Sequence, residues 1–434
     1  MKYPTIRRAL NGSLLHENRP PAPAHPVISL PGTCQGRPAA LALDRDALAR
    51  GTLVIGATGT GKTFLTRQLA QQLRANIGIS SMVVLEVKED YAPTLAAPGD
   101  LILGQGPAYR NRSLRWNLFQ DLAFDGWDET DLRLNSQEFC RQLFAGKKNQ
   151  AQPFFPEAAQ LLLQQVLLTY LLEGSTSLLA RQKMSNRGLL DFFRRFRPED
   201  YLRFLERCPD PGIVRMVLGG KADSNQALGV LGETVITILS TFTDVFGEEG
   251  DFSIRRFVRE KKGQCLFLKF DPAYQETQRQ LYGVLVSFLL REALSHGAAG
   301  GSLVFVCDEL PALGRVELLP AAVNLGRSKG MVFLGGLQSV DQLTSLYDRY
   351  DANVLLAGLR NKILFQANDP ASLAFIRDTF GQAPVEELIL SRGGNSLRVT
   401  EMPVVEDQTL QSLGLGDCIV SIAGGPPFSF RMDP

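Results

Sequence analysis

A glycine-rich stretch of eight residues constrains the fold more than any other part of the chain. It consists of Gly56, Ala57, Thr58, Gly59, Thr60, Gly61, Lys62 and Thr63. An apolar run precedes it at 53–55, and leucines at the spacing of one helical face follow it at 65, 69 and 73. The glycines permit a tight turn that aims successive backbone N–H groups at phosphate oxygens, and the positive end of the following helix faces the same anion. The stretch therefore predicts a phosphate-binding P-loop between a strand and a helix, rather than a glycine-rich turn with a coincidental lysine.

Two side chains at the end of the P-loop predict what it binds. Lys62 is placed to reach the β- and γ-phosphates of a nucleoside triphosphate. The hydroxyl of Thr63 is placed to ligate the Mg²⁺ that bridges those two phosphates. We therefore expect ATP and Mg²⁺ as the cofactors.

An acidic pair follows a second strongly apolar run. Residues 303–307 are Leu-Val-Phe-Val-Cys, and Asp308 and Glu309 come directly after them. A buried parallel strand delivers such a pair to the sheet edge at which the P-loop opens, which is the Walker B arrangement. Asp308 would then hold the Mg²⁺ hydration shell, and Glu309 would orient or deprotonate the attacking water. The alternative is an acidic pair that opens a surface loop.

Runs of strand length alternate with helical patterns along most of the chain. The strand runs lie at 52–55, 82–85, 264–270, 303–307, 331–334 and 363–365. This alternation predicts an α/β fold with a mostly parallel sheet. One more strand at 417–422 is expected at a sheet edge.

The strand signals nearly vanish in the middle of the chain. Helical patterns dominate residues 134–247, which we predict to be an all-α domain inserted between the core segments 51–133 and 248–434. Residues 1–50 read as a proline-containing arm and a lead-in to the core. Aromatic and arginine residues cluster at 192–207. They could stack on bases and contact phosphates of a nucleic acid. The simpler alternative is an amphipathic helix with a solvated basic face.

Composition limits the functions that the chain can have. The net charge of +1 gives no overall attraction to nucleic acid, so DNA binding requires a local patch or a channel built by several subunits. The six cysteines are scattered without metal-ligand spacing, and we expect reduced, mostly packed thiols. No apolar stretch is long enough for a membrane-spanning helix, so a cytoplasmic location is expected.

Polar residues at other strand ends are further candidates for the site. Glu86, Lys88, Glu89 and Asp90 follow the strand at 82–85, where they face the nucleotide, a subunit interface or solvent. Gln338 follows the strand at 331–334 and could sense the γ-phosphate or hold the water. Arg327 could reach a neighbour's nucleotide as an arginine finger. A polar turn residue and a surface arginine are the plainer interpretations of the last two.

Several ordered motifs resemble those of one protein family. They are Asp308-Glu309-Leu310-Pro311-Ala312-Leu313-Gly314, the segment 325–330 (Leu-Gly-Arg-Ser-Lys-Gly), the segment 336–339 (Gly-Leu-Gln-Ser) and the segment 113–118 (Ser-Leu-Arg-Trp-Asn-Leu). With the P-loop and the helical insert, they resemble the conjugative coupling ATPases of type IV secretion systems. These proteins belong to the FtsK/HerA class of RecA-like ring motors.

The resemblance implies a RecA-like core and a hexameric ring that hydrolyses ATP between subunits. Such a ring moves DNA, or DNA with its attached relaxase, toward a secretion channel. By the same resemblance, Lys62 and Thr63 match the Walker A pair, Asp308 and Glu309 the Walker B pair, Gln338 a polar sensor and Arg327 an arginine that acts in trans. Arg360 is a second candidate for that arginine.

Two features depart from the family pattern. Its members usually carry an amino-terminal membrane anchor, whereas this chain reaches its P-loop within about 50 residues, so we expect membrane attachment only through a partner. Glu86 stands where the family more often has aspartate. Three other functions stay open: an ATPase that recruits protein cargo, a nucleotide-gated adaptor with little hydrolysis, and a HerA-type DNA motor outside conjugation.

Overall fold

The structure, a computed structural model, describes residues 5–9, 15, 17–76, 80–147, 153–195, 203, 206–218, 224–271, 274–296, 301–391 and 394–433. The strands are β1 (Thr5–Ala9), β2 (Ile28–Cys34), β3 (Arg37–Leu43), β4 (Thr52–Ile55), β5 (Ser80–Glu86), β6 (Leu101–Gly104), β7 (Cys265–Lys269), β8 (Ser302–Cys307), β9 (Met331–Leu337), β10 (Asn361–Leu364), β11 (Gln382–Ser391), β12 (Gly394–Pro403), β13 (Asp417–Ser421) and β14 (Phe428–Met432). The α-helices are Arg45–Ala49, Lys62–Asn76, Ala92–Leu95, Leu118–Leu122, Glu129–Leu143, Phe154–Thr176, Leu178–Gln182, Asn186–Arg195, Pro211–Leu218, Asn225–Thr241, Ile254–Glu260, Gln275–His296, Leu319–Leu325, Val340–Thr344, Arg349–Gly358, Pro370–Phe380 and Asp407–Gln411.

A large sheet forms the centre of the described structure. Its strand order is β3-β2-β14-β13-β10-β4-β9-β8-β5-β7-β6. The seven strands from β10 to β6 all run parallel to one another. Side chains alternate between two hydrophobic clusters: Leu53 and Ile55 pack into one and Val54 into the other. Because both faces are covered, these strands need apolar residues at every position, as the sequence pattern predicted.

The other end of the large sheet is antiparallel and differs from the prediction. The strand predicted at 417–422 is not at an edge, because β13 lies between β10 and β14. The chain continues outward through β14 and β2 to β3, which is the outermost strand on that side. Two strands from the predicted lead-in therefore belong to the main sheet. The sequence patterns did not predict β14, which pairs locally with β13, and the pairing of β14 with β2 joins segments so distant in sequence that it leaves no local pattern.

A second sheet of three strands has the order β1-β11-β12. In it, β11 and β12 form a hairpin of ten-residue antiparallel strands. The strand β1, from the amino-terminal arm, pairs antiparallel with β11. The sequence analysis named none of these three strands.

The described elements between β6 and β7 are all helical. The motif at 113–118 lies where this region joins the sheet: Trp116 is fully buried and stacks on Phe242, with ring centroids 6.1 Å apart. Asn186 donates hydrogen bonds to the carbonyls of Trp116 (2.7 Å) and Phe246 (2.9 Å), which ties both ends of the region together. The division at 134 and 247 stays a prediction; residue 134 lies inside the helix Glu129–Leu143.

The aromatic and arginine cluster divides between interior and surface. Phe192 and Phe193 are buried, whereas Arg194 and Arg195 are exposed on the same helix. This is the arrangement of an amphipathic helix with a basic outer face. Residues 196–202, 204 and 205 lie outside the described residues. The six cysteines are buried free thiols.

A search of the described helices finds none that is both long enough and apolar enough to span a membrane.

Candidate functional site

The P-loop leaves the carboxyl end of β4 and is held there by two neighbouring strands. Gly56 donates its N–H to the Leu337 carbonyl (3.2 Å), and Ala57 donates to the Gln366 carbonyl (2.9 Å). Gly59 and Gly61 have φ angles of +82° and +104°, a region that favours glycine. The loop conformation therefore depends on glycine at these two positions.

The loop opens into a cleft of about 740 Å³ at the carboxyl ends of the parallel strands. The predicted residues that line this cleft are Ala57, Thr58, Gly59, Gly61, Lys62, Thr63, Asp308, Glu309 and Gln338. Gly56 and Thr60 support the loop from its base, where a Cβ at Gly56 would meet the Phe365 side chain at 2.6 Å. The structure thus brings the P-loop, the acidic pair and Gln338 together.

Lys62 and Thr63 begin the helix that follows the loop. The Thr63 hydroxyl donates to Oδ2 of Asp308 at 2.8 Å, which joins the P-loop directly to the end of β8. The Lys62 ammonium donates to the Leu337 carbonyl at 3.0 Å. Burial lowers the pKa of Lys62, and the carboxylates of Glu309 and Asp308 act in the opposite direction.

Glu309 lies deeper in the cleft. Its Oε2 accepts a hydrogen bond of 2.8 Å from the side-chain amide of Gln338, whose own Oε1 accepts from Thr58 at 3.3 Å. Its Oε1 is buried and has no hydrogen-bond partner among the described residues. Burial raises the pKa of this carboxyl, against the nearby Lys62 charge and the Gln338 hydrogen bond. One oxygen of Glu309 is thus fixed, and the other can accept a proton.

The backbone N–H groups and oxygen ligands that line the cleft fit a nucleoside triphosphate with Mg²⁺. The ion prefers hard oxygen ligands, and it is usually held by one or two carboxylates together with substrate phosphates. Thr63 and Asp308 supply a hydroxyl and a carboxylate beside backbone N–H groups that can bind phosphate. The buried, unpartnered oxygen of Glu309 fits a water molecule next to the γ-phosphate.

The four polar residues at the end of β5 take different positions in the structure. Lys88 and Asp90 line the cleft. Glu86 is buried and forms an ion pair with Lys269 at the end of β7. Glu89 instead accepts a hydrogen bond from the hydroxyl of Tyr109 near the surface.

The structure does not bring the two arginine candidates into the cleft. Arg327 and Arg360 precede β9 and β10, so both lie at the amino edge of the sheet, whereas Gln338 follows β9 at the other edge. A strand of seven residues spans roughly 20 Å. Arg327 pairs there with the exposed Asp46 at 2.6 Å. Neither arginine can reach the nucleotide of its own chain from this edge.

Sequence reasoning missed several side chains of the site. Arg279, Leu415 and the largely buried Tyr91 line the cleft, and the buried Thr66 joins Tyr91 to Asp308. Thr66 had a usable signal, because a residue three positions after Thr63 lies on the same side of the helix. Arg279 and Leu415 reach the cleft from distant segments and left no local pattern.

Fold and site together define a P-loop nucleoside triphosphatase core with a RecA-like α/β sheet. Residues 37–410 match the family described as type IV secretion-system coupling protein DNA-binding domain. The chain belongs to this family, and the resemblance seen in the sequence motifs is confirmed.

Two curated relatives are named as a conjugal transfer protein and a coupling protein. The chain is 25% identical over 175 residues to the conjugal transfer protein TraG of Agrobacterium fabrum (strain C58 / ATCC 33970), which covers 38% of this chain and 27% of TraG. It is 25% identical over 419 residues to the coupling protein TraD of Escherichia coli (strain K12), which covers 89% of this chain and 53% of TraD. The chain thus spans about half or less of the length of these relatives.

A solved structure supports the fold. The plasmid coupling protein TrwB in complex with ADP and Mg²⁺ superimposes with a TM-score of 0.74 at 23% identity, covering 99% of this chain and 94% of TrwB. The predicted fold class, a RecA-like parallel core with an added all-α region, is confirmed.

Proposed function

We propose that this chain is the ATP-hydrolysing subunit of a ring motor. The motor drives DNA, alone or with an attached relaxase, toward a type IV secretion or conjugation channel. The observation that carries the proposal is the Thr63–Asp308 hydrogen bond of 2.8 Å, which unites the P-loop and the acidic strand end in one cleft of a coupling-protein fold. The complex of TrwB with ADP and Mg²⁺ supports ATP and Mg²⁺ as the cofactors.

The P-loop and its two terminal side chains bind the triphosphate in this proposal. The backbone N–H groups of 56–63 and the Lys62 ammonium contact the phosphates, and Thr63 and Asp308 hold Mg²⁺. Mg²⁺ held by these two residues would supply positive charge that offsets the negative charge developing on the phosphates.

Glu309 and Gln338 act on the attacking water. The free Oε1 of Glu309 accepts the proton of the water, while the amide of Gln338 fixes Oε2 and so the plane of the carboxylate. The raised pKa of Glu309 suits this role, because a general base works best when its pKa lies near the operating pH.

Arg327 completes the site from a neighbouring subunit. Because it lies at the amino edge of its own sheet, it can act only in trans, across an interface between subunits. An arginine finger supplied in trans stabilises the charge of the transition state. Arg360, at the same edge, is the second candidate.

The proposal extends to assembly and location. We propose a homo-hexamer with relaxase or other secretion-system proteins as partners, placed in the cytoplasm and held at the inner membrane through a partner. Within the subunit, 134–247 is an inserted all-α domain, and 51–133 with 248–434 forms the nucleotide-binding domain. A near-neutral chain suits a motor whose DNA-binding charge is gathered in a channel between subunits.

The decisive experiment measures steady-state ATP hydrolysis against protein concentration, with no DNA, single-stranded DNA or double-stranded DNA. We expect DNA to raise turnover and the rate to grow more than linearly with protein, because a trans-acting site needs assembled subunits. The Lys62→Ala variant should show no turnover. Lys262→Ala is the matched control, since this lysine is exposed and pairs only with Glu260 among the contacts described.

Other outcomes would contradict the proposal in distinct ways. Turnover that ignores DNA but rises with a secreted protein would support the recruitment of protein cargo. Turnover equal to that of Lys62→Ala under every condition would support a nucleotide-gated adaptor.

A further inference from the structure

A buried chain of hydroxyl groups lies behind Asp308. Thr66 follows Thr63 by one turn of the same helix, and its Oγ1 lies 3.2 Å from Oδ1 of Asp308. Thr63 donates to the other carboxylate oxygen, Oδ2. Each oxygen of Asp308 thus has its own hydroxyl donor. Thr66 is fully buried, so water does not compete for these contacts.

Tyr91 determines where the Thr66 proton goes. The Tyr91 hydroxyl lies 2.5 Å from Thr66 Oγ1 and is also buried. Thr66 has a single proton and two further acceptors, Oδ1 of Asp308 and the Thr63 carbonyl, each at 3.2 Å. If Tyr91 donates to Thr66, the Thr66 proton stays available to Asp308, and each bond in the chain strengthens the next.

Tyr91 is able to donate this hydrogen bond, and its position is fixed. Burial, and after it the charge of Asp308, raise the pKa of its phenol, so the hydroxyl keeps its proton at every physiological pH. Its backbone is also fixed, because the N–H groups of Tyr91 and Ala92 donate to Oε1 of Glu86 at 2.8 and 3.2 Å. Glu86 is held in turn by its buried ion pair with Lys269.

We propose that Thr66 and Tyr91 are positioning residues that orient the Asp308 carboxylate toward Mg²⁺. In this role they act through Asp308 rather than as ligands of the ion, although Tyr91 also lines the cleft. The inference rests on the proposed function, because the ion enters the cleft with the nucleotide. Outer partners that orient a metal ligand typically change metal affinity by about 10- to 100-fold when they are removed.

The test titrates Mg²⁺ into the full chain with a fluorescent, non-hydrolysable ATP analogue and reads nucleotide binding rather than turnover. We expect Tyr91→Phe to raise the half-saturating Mg²⁺ concentration by about 10-fold. Thr66→Val, which removes the hydroxyl contacts to Tyr91, Asp308 and the Thr63 carbonyl at similar volume, should raise it at least as much. Thr66→Ser keeps the hydroxyl and should restore the wild-type value. In EDTA, analogue binding should be equal in all four proteins.

Tyr347→Phe is the matched control. Its hydroxyl is buried like that of Tyr91, but it bonds to the backbone of Val316, away from the cleft. We expect this control to lower the thermal unfolding temperature and to leave the Mg²⁺ titration unchanged.

Three results would overturn the inference. A Tyr91→Phe protein that loses thermal stability as the control does, but keeps the wild-type Mg²⁺ titration, would show a structural role only. A Thr66→Val protein with an unshifted titration would have the same meaning, and it remains informative if Tyr91→Phe does not fold. A wild-type chain that binds no analogue at any Mg²⁺ concentration would overturn both the inference and the proposed function, whereas normal wild-type binding with unshifted variants overturns the inference alone.

Discussion

The carboxyl and amino edges of the parallel sheet both collect charged side chains, but they hold them in different ways. At the carboxyl edge, Lys62, Asp308 and Glu309 lie in one cleft, and each contacts another residue of that cleft or of the strands beneath it. At the amino edge, Arg327 is 48% exposed and pairs with Asp46, which is itself 59% exposed. Exposed ion pairs contribute little, so Arg327 is free to exchange this partner for another.

The difference shows which groups of the proposed ATPase site a single chain can bring together. The carboxyl edge has a complete set of groups for binding a nucleotide and activating water. The amino edge has two exposed arginines, Arg327 and Arg360, at a distance from the cleft that a single chain cannot close. We therefore regard the two edges as halves of one site that neighbouring subunits would assemble.

The largest expected effect comes from removing the arginine of the amino edge. Arg327→Ala should lower turnover by roughly 10³- to 10⁵-fold, the range of known arginine fingers, without loss of nucleotide binding. Mixing Arg327→Ala with Lys62→Ala should restore activity, because the second protein supplies an intact arginine to the intact cleft of the first. Steady-state hydrolysis of the mixture measures both effects.

Arg360→Ala is the matched control for this comparison. It removes an exposed arginine from the same edge, and we expect turnover within a few-fold of wild type. A reversed result, with Arg360→Ala inactive and rescued, would assign the trans role to Arg360. If mixing with Lys62→Ala restores neither arginine variant, the amino edge of one subunit does not complete the cleft of another.

A smaller loss of turnover is expected from a substitution at the carboxyl edge. Glu309→Gln should lower turnover by roughly 10²- to 10⁴-fold, since it removes the general base and keeps the shape of the side chain. Single-turnover hydrolysis measures this loss, and binding of an ATP analogue is the control. Turnover within a few-fold of wild type would exclude Glu309 as the base.

The same substitution has a pH-dependent effect on stability. The folded pKa of Glu309 lies above its ordinary value of 4.5, so the folded state binds this proton more tightly than the unfolded state. The wild type is thus relatively most stable below pH 4.5 and loses stability as the pH rises through the folded pKa. We expect Glu309→Gln to unfold at a higher temperature than wild type at pH 7 in EDTA, with a difference that shrinks as the pH falls toward 4.5. Parallel pH profiles would contradict the raised pKa.

The smallest expected effect concerns a buried lysine of the amino edge. Burial, with the charge of Arg360, lowers the pKa of Lys362 from 10.5 to about 8. The charged form therefore costs stability below pH 8, and this cost disappears as the pH rises toward 10.5. Hydrogen bonds from the amine to the carbonyls of Leu356 and Leu359 favour the charged form and limit the effect.

We expect the free energy of unfolding of wild type, relative to Lys362→Met, to rise by about 1–2 kcal/mol between pH 8 and pH 10. Chemical denaturation at both pH values measures the change, and Lys262→Met is the control for an exposed lysine. An equal pH dependence in wild type and Lys362→Met would show that the amine titrates normally.

The sequence predicted six of the seven parallel strands and the P-loop, because their signals are local, but it did not predict the short edge strand β6. β4, β5, β7, β8, β9 and β10 all fall at predicted positions, since strands buried on both faces are continuously apolar. It missed β2 and β3, where Pro31, Pro38 and several alanines weaken the strand signal. It also missed β11 and β12, although 396–400 alternates between polar and apolar residues and offered a usable pattern.

By itself, the sequence determined the chemistry of the site: a P-loop that ends in Lys62 and Thr63, and a strand that ends in Asp308 and Glu309. These motifs depend on backbone turns and strand burial within a few residues, so short segments specify them. The tertiary structure alone decided that Arg327 pairs with Asp46 and that Tyr91 reaches Asp308 through Thr66. Both contacts depend on the side-by-side order of β4, β9, β8 and β5, which is set by packing between distant segments and not by any local pattern.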